Sequence, residues 1–230
     1  MVVGDGGQEP QDVRAGRDAI MAGRDLTMHI HTAPEPAPPV RAQNAPRPNR
    51  VFTGREGLLS RIRKTLGSRG HTGGAALLGM AGVGTTQVAL EYADRFGEEY
   101  DIVWWINAEN PEVLGQRFAE LGAALNCVPT GSRLKDKDVE THVIPTLRQH
   151  GNWLLIFDNA ERLGDIKRWL PGNGHVLITS RSGGWEEIAA PVSVDVLERA
   201  ESVELLQKRI PGFSEPDAAL VAEATGEPGA

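Results

Sequence analysis

The stretch Gly79-Met80-Ala81-Gly82-Val83-Gly84-Thr85-Thr86 decides the fold prediction. It follows a short apolar run, Ala75–Leu78, and precedes a segment with helical periodicity. Gly79, Gly84 and Thr86 match the pattern G-x-x-x-x-G-K-[ST], in which a loop between a strand and a helix holds phosphate groups. Glycines let successive backbone N–H groups point inward, and the helix adds its own free N–H groups. The stretch therefore predicts a phosphate loop, although an isolated match is more often a tight turn.

One residue of this loop departs from the pattern, because Thr85 stands where the pattern requires lysine. That lysine normally reaches the outer phosphates as a point charge. A charge-assisted hydrogen bond contributes about 1.5–3 kcal/mol, so its loss predicts binding weaker by about tenfold to a hundredfold. Thr86 still provides the hydroxyl that coordinates Mg²⁺ in this pattern.

The rest of the chain alternates between strand and helix patterns. Strands are predicted at Ala75–Leu78, Ile102–Ile106, Trp153–Phe157, Val176–Ile178 and Val192–Val196. Helices are predicted at Glu56–Leu66, Thr86–Phe96, Pro111–Leu125, Val139–Gln149, Ala200–Arg209 and Asp217–Ala224, with Pro145 expected to kink the fourth or shift its start. This alternation predicts an α/β fold of the P-loop NTPase type, with a parallel sheet of about five strands flanked by helices.

A second motif is an apolar run that ends in an acid, Trp153 to Asp158. Its body suits a strand buried on both faces, and a carboxylate at its tip would meet the Mg²⁺ shell. The alternative is a core strand that ends at a capping aspartate. Asn159 follows, where hydrolytic relatives carry a second acid, and an amide does not accept a proton as a general base. A further strand ends at Arg181, which would sense the terminal phosphate unless it is an ordinary surface arginine.

Together these residues resemble the NB-ARC family of STAND-class signalling NTPases, especially bacterial members with tetratricopeptide repeats. Five motifs carry the resemblance in order: Val51–Glu56 as an opening motif near the adenine, Gly79–Thr86 as the Walker A loop, Leu154–Asn159 as the Walker B strand, Leu177–Arg181 as the sensor strand, and Val196–Leu206 as the helix that follows.

The resemblance implies a switch that binds ATP or ADP with Mg²⁺ and opens towards an oligomer on nucleotide exchange. It assigns phosphate contacts to Gly79, Met80, Ala81, Gly82, Val83, Gly84, Thr85 and Thr86, base contacts to Phe52, Gly54 and Arg55, the metal to Thr86 and Asp158, and catalysis or phosphate sensing to Asp158 and Arg181. Thr85 and Asn159 leave open whether the chain is an ATPase. A GTPase would carry Asn-Lys-x-Asp, and the similar segment Leu134–Asp138 lacks the asparagine.

The first 49 residues form a separate region in this interpretation, a disordered tail with a Pro-rich linker, ahead of a nucleotide-binding domain at 50–230. Ala15–Asp18 recurs as Ala22–Asp25, which resembles the short amyloid-forming motifs of bacterial immune-type receptors. A disordered tail with a weak hairpin is the alternative. At the other end, Thr225–Ala230 resembles the start of the family's Gly-x-Pro-Leu segment, so we expect a fragment or truncated relative.

Composition narrows the remaining choices. A net charge of −7 argues against a general nucleic-acid binder, which would carry a basic face. The sequence has no apolar run long enough to span a membrane and no signal-peptide pattern, so we expect a cytoplasmic protein. Three hypotheses remain: a nucleotide switch with weak or absent hydrolysis, a nucleotide-independent adaptor that self-associates with a copy or an effector through the N-terminal repeat, and an active ATPase.

Overall fold

A computed structural model describes residues 41–67, 72–129, 135–210, 212 and 214–226. Six strands in these ranges form one parallel sheet. They are β1 (Ala42–Gln43), β2 (Thr72–Leu78), β3 (Ile102–Asn107), β4 (Trp153–Asp158), β5 (Gly174–Ser180) and β6 (Ala190–Ser193). Their order across the sheet is β1-β3-β4-β5-β2-β6. The predicted α/β fold with a parallel sheet is therefore confirmed, with one strand more than expected.

Helices cover both faces of the sheet. They are α1 (Glu56–Gly67), α2 (Thr85–Phe96), α3 (Leu114–Ala124), α4 (Asp136–His150), α5 (Leu163–Ile166), α6 (Arg199–Arg209) and α7 (Glu215–Gly226), with 3-10 turns at Gly97–Glu99, Pro111–Val113 and Lys167–Trp169. None of the helices in the described ranges is both long and apolar enough to cross a membrane.

The central strand β4 is buried along its whole length, as its continuous apolar run predicts. Trp153, Leu155 and Phe157 join the core that α3 and α4 cover. Leu154 and Ile156 join the core that α1 and α2 cover. Alternate side chains of a strand point to opposite faces, so one apolar strand serves two helical layers.

Two local predictions need correction. Ala42–Gln43 lies in the Pro-rich segment expected to be a linker, yet it pairs in parallel with Ile102–Val103 at the sheet edge. Pro145 lies inside α4 and does not shift its start, which is Asp136 and not the predicted Val139, while a kink at Pro145 stays a prediction. The helix continues through the proline because Val143 and Leu147, on either side of it, are fully buried, and tertiary packing outweighs local helix propensity. The predicted N-terminal repeat and tail lie outside the described residues.

The strand order brings three strand ends together. Leu78 at the end of β2 is in register with Ser180 at the end of β5, and Phe157 of β4 is in register with Ile178 of β5. Strand β5 thus lies between the strand that leads into the glycine-rich loop and the strand that ends in Asp158. Residues after all three strands meet at one edge of the sheet, where open α/β sheets bind ligands.

Candidate functional site

The glycine-rich loop folds back over the end of β2. Gly82 and Gly84 have φ angles of 80° and 95°, in the left-handed region that glycine tolerates best. At Gly79, a Cβ atom would lie 2.5 Å from Cγ1 of Val83 and 2.9 Å from the carbonyl oxygen of Val194. The Val83 N–H donates to the Met80 carbonyl at 3.2 Å and closes the turn. Backbone conformation therefore favours glycine at positions 82 and 84, and close packing requires it at position 79.

Helix α2 begins directly after this loop, at Thr85. Its N-cap is Gly84, which provides no side-chain cap, and its first turn contains no acidic residue. The helix therefore presents free N–H groups and the positive end of its dipole to the loop, with no side-chain cap from its N-cap residue. Met80 at the loop tip is exposed. This arrangement is suited to a phosphate group.

A chain of hydroxyl contacts links the loop to the end of β4. The Thr86 hydroxyl donates to Oδ1 of Asp158 at 2.8 Å. The Thr179 hydroxyl donates to the same oxygen at 2.6 Å and accepts from the Asn159 N–H at 2.9 Å. Asp158 and Thr179 are both buried. Thr179 thereby fixes both the carboxylate and the left-handed backbone of Asn159, whose φ is 58°.

The oxygens of Thr86 and Asp158 fit a magnesium ion. Mg²⁺ prefers oxygen ligands, and the 2.8 Å hydrogen bond places a hydroxyl and a carboxylate oxygen side by side at the start of α2. No cluster of three or more His, Cys, Asp or Glu side chains suited to a metal occurs among the described residues. Mg²⁺ is usually held by one or two carboxylates together with waters and substrate phosphates, so Thr86 and Asp158 would supply only part of its shell.

The opening motif reaches the same loop through Arg55. One guanidinium nitrogen of Arg55, Nη2, donates to the carbonyl oxygens of Val83 at 2.8 Å and Asp195 at 3.0 Å. Gly54 and Arg55 have φ angles of 70° and 62°. The Arg55 N–H donates to Oε1 of Glu201 at 2.7 Å, and a Cβ on Gly54 would lie 2.2 Å from that oxygen. The carboxylate of Glu201 therefore occupies the space that only glycine leaves free.

The described surroundings of the Phe52 ring are a core cluster and one arginine. Its ring is partly buried against the core beneath α1 and α2, and the Arg95 guanidinium lies 5.9 Å from the ring centroid. Arg95 itself pairs with Glu56 and Glu91. The described contacts of Phe52 are thus packing contacts.

Arg181 lies at the end of β5 and pairs with Glu161 at 3.1 Å. The two side chains are 69% and 58% exposed. Both line a cavity of about 300 Å³ together with Glu109, Asn159, Ala160 and Ser182. The structure therefore brings Thr86 and Asp158 together and places Arg55 against the loop. The described partner of Arg181 is the carboxylate of Glu161.

Thr179 and Glu201 have roles that the sequence patterns did not assign to them. Thr179 belongs to the hydroxyl-rich end of the predicted sensor strand. The sequence therefore predicted its position at the strand end but not its hydrogen bond to Asp158. Glu201 forms a capping box with Glu198 at the start of α6, but glutamate at the N-cap falls outside the Ser/Thr-x-x-Glu/Gln signature of that cap. Its contact with Arg55 joins residues 146 apart in the chain.

Known proteins share this architecture. The NB-ARC domain model matches residues 55–213. A nucleotide-binding leucine-rich repeat (NLR)-like protein of Hyaloscypha variabilis is 28% identical over 172 residues, covering 62% of this chain and 17% of that protein. A signal transduction ATPase with numerous domains and a tetratricopeptide repeat sensor, from Pyrococcus horikoshii, superposes with a TM-score of 0.56 at 22% identity, over 83% of this chain and 30% of its own.

Cdc6p from Pyrobaculum aerophilum has the same fold, with a TM-score of 0.55, 17% identity, and coverage of 80% of this chain and 57% of its own. The chain thus spans less than a third of the two relatives named before it, the NLR-like protein and the signal transduction ATPase. The family match covers more than half of the chain and includes the glycine-rich loop, Asp158 and Arg181. This chain belongs to the NB-ARC family of nucleotide-binding signalling NTPases.

Proposed function

We propose that this chain is an ATP- or ADP-binding signalling switch that hydrolyses ATP weakly or not at all. The observation that carries the proposal is the 2.8 Å contact between the Thr86 hydroxyl and Asp158, at the uncapped start of α2. The Thr86 hydroxyl oxygen and a carboxylate oxygen of Asp158 are thus adjacent. They would be available there as ligands of a metal ion that binds a phosphate group.

Each part of the loop has its own task in this proposal. The N–H groups from Gly79 to Gly84 and the first turn of α2 bind phosphate oxygens. Thr86 and Asp158 hold Mg²⁺, which when bound neutralises phosphate charge. Thr179 keeps the Asp158 carboxylate oriented through its 2.6 Å hydrogen bond. Phe52, Gly54 and Arg55 line the nucleotide on the side of the opening motif.

Weak hydrolysis follows from the residues around Asp158. Asn159 occupies the position of a second acid and accepts no proton from an attacking water. Glu161 is two residues further on, and its carboxylate pairs with Arg181. Thr85 offers no positive charge to a terminal phosphate. Arg181 would sense that phosphate only after leaving Glu161, and an exposed ion pair of this kind is easily broken.

Signalling requires that ADP and ATP stabilise two conformations to different degrees. A shift from 1:99 to 99:1 needs a difference in affinity of about 10⁴-fold between the two states. Partners of the open state would be further copies of the chain or an effector with the same N-terminal motif. That motif lies outside the described residues.

A matched pair of glycine substitutions tests the proposal. Gly84 and Gly172 have φ angles of 95° and 90°, and only Gly84 belongs to the loop. Alanine at either position is strained by about 1–2 kcal/mol, and relief at Gly84 would turn loop N–H groups away. We expect ADP with Mg²⁺ to raise the melting temperature of the wild type and of Gly172→Ala, but not of Gly84→Ala.

Equal stabilisation of all three proteins would contradict binding at this loop. Absence of stabilisation in all three, and in Thr85→Lys, would favour the nucleotide-independent adaptor. ATP turnover that Asp158→Ala abolishes would favour an active ATPase instead.

A further inference from the structure

We propose that Arg55 supplies the positive charge that Thr85 fails to supply, so that it binds the phosphates of the nucleotide rather than its base. This inference rests on the proposed nucleotide site. It assigns Arg55 a role in the phosphate half of that site, which the opening motif alone does not predict.

The guanidinium of Arg55 lies against the last residues of the phosphate loop. Its Nη2 donates to the Val83 carbonyl at 2.8 Å. Its Nη1 lies 3.8 Å from the position that a Cβ on Gly84 would take. Thr85 is the next residue in the chain. The guanidinium is thus beside the position where the motif normally carries its lysine.

One nitrogen of the Arg55 guanidinium has N–H groups without a hydrogen-bond acceptor among the described residues. Nη1 is buried and has no hydrogen-bond partner among the described residues. Burial also lowers the pKa of Arg55, against the opposing effect of Glu201 and Asp195. A buried donor without an acceptor is destabilising. A phosphate oxygen is the anionic acceptor that a planar guanidinium binds best.

The backbone holds this arginine in a strained conformation. The φ of Arg55 is 62°, a region that non-glycine residues seldom adopt. Glu201 stabilises it, since one carboxylate oxygen accepts from the Arg55 N–H at 2.7 Å and the other accepts from the Glu198 N–H at 3.1 Å. Strained residues that the surrounding structure fixes in this way concentrate at ligand-binding sites.

Arg181 is the other arginine proposed for the nucleotide site. Its described ion pair is with Glu161 at 3.1 Å, and its side chain is 69% exposed. Arg55, in contrast, already contacts a loop carbonyl and carries a buried unpaired nitrogen. The geometry therefore favours Arg55 as the cation of the resting phosphate loop.

Inorganic pyrophosphate with Mg²⁺ is the probe that separates phosphate from base contacts. We expect Arg55→Gln to weaken both pyrophosphate and ADP binding by about tenfold to a hundredfold in calorimetry. Adding Thr85→Lys to Arg55→Gln should restore most of the loss, because the new lysine returns a charge to the loop. Arg61→Gln is the matched control: it also removes an arginine that donates to a backbone carbonyl, that of Ser193, and should leave both affinities unchanged.

Two results would overturn the role of Arg55 while the proposed function stands. In the first, Arg55→Gln binds pyrophosphate as tightly as the wild type but no longer prefers ADP over GDP. That result would make Arg55 a contact to the base. The other is equal ADP binding by wild type and Arg55→Gln. Failure of both the wild type and Thr85→Lys to bind ADP or pyrophosphate would instead overturn the nucleotide site together with this inference. Thermal unfolding without ligand checks that Arg55→Gln is folded, and Arg55→Lys should retain part of the affinity.

Discussion

The Thr86 hydroxyl donates a 2.8 Å hydrogen bond to Oδ1 of Asp158, although 72 residues separate the two in the chain. Strand β5 lies between the strands that position them, so the contact depends on the order of the whole sheet. Thr179, at the end of β5, donates to the same carboxylate oxygen at 2.6 Å. Residues from α2, β4 and β5 therefore meet at one buried carboxylate beside the phosphate loop.

Replacing the carboxylate by an amide should remove the magnesium dependence of nucleotide binding. Asp158→Asn keeps an oxygen that accepts from Thr86 and Thr179 but loses the negative charge that attracts Mg²⁺. We expect ADP affinity in Mg²⁺ to fall by about tenfold, while affinity in EDTA stays near the wild-type value. Calorimetric titrations in the two buffers check this. An equal loss in EDTA would mean that Asp158 acts through structure and not through the metal.

The Thr179 hydroxyl should contribute to stability as well as to the site. It is 1% exposed, donates to Asp158 and accepts from the Asn159 N–H, so Thr179→Val removes one of the two hydrogen bonds to Oδ1 of the buried Asp158 carboxylate and the acceptor of the Asn159 N–H. We expect the free energy of unfolding in urea to fall by about 1–3 kcal/mol. Thr141→Val removes an exposed hydroxyl of α4 that donates to the Lys137 carbonyl oxygen. This control should change the free energy of unfolding by less than about 0.5 kcal/mol. Similar losses in both variants would refute the special role of Thr179.

Restoring the lysine of the motif should strengthen nucleotide binding. Thr85→Lys adds a point charge at the first residue of α2, and we expect ADP and ATP affinity to rise by about tenfold to a hundredfold. Gln87→Lys adds the same charge at an exposed position two residues further along α2 and serves as the control. A gain of equal size in Gln87→Lys would indicate general attraction between charges.

Glu201 should link α6 to the opening motif. Glu201→Ala removes the acceptor of the Arg55 N–H and the capping box of α6, so we expect a loss of about 1–2 kcal/mol in unfolding free energy. Nucleotide affinity should fall too, because the strained Arg55 backbone loses its partner. Glu204→Ala, on the same helix, breaks an exposed pair with Lys208 and should alter neither quantity measurably. Unchanged affinity in Glu201→Ala would show that the Arg55 side chain holds its position alone.

Local patterns in the sequence were sufficient for most of the fold. The apolar run of β4 and the glycine spacing of the loop each depend on neighbouring residues, and the structure bears out both. Strand β1 was missed because two residues among prolines carry no periodicity. It forms because the edge of the sheet offers Ile102 and Val103 of β3 as pairing partners for Ala42 and Gln43. The insertion of β5 between β2 and β4 is likewise a long-range property that alternation of elements does not encode.

The site was predictable to the same extent. Thr86 and Asp158 each belong to a recognisable motif, and the structure brings them into contact, while their roles towards nucleotide and metal stay predictions. The roles of Arg55 and Glu201 depend on a contact across 146 residues and on a left-handed backbone, neither of which has a sequence signal strong enough to detect. The task assigned to Arg181 stays a prediction.

Calorimetric titration of the wild-type chain with ADP and with ATP, each with Mg²⁺, tests the central claim most directly. The proposed switch predicts binding of at least one nucleotide in the micromolar range despite Thr85, with little or no turnover of ATP during the titration. No heat of binding up to millimolar nucleotide would contradict it, and the loop between β2 and α2 would then be a feature of the fold without a ligand.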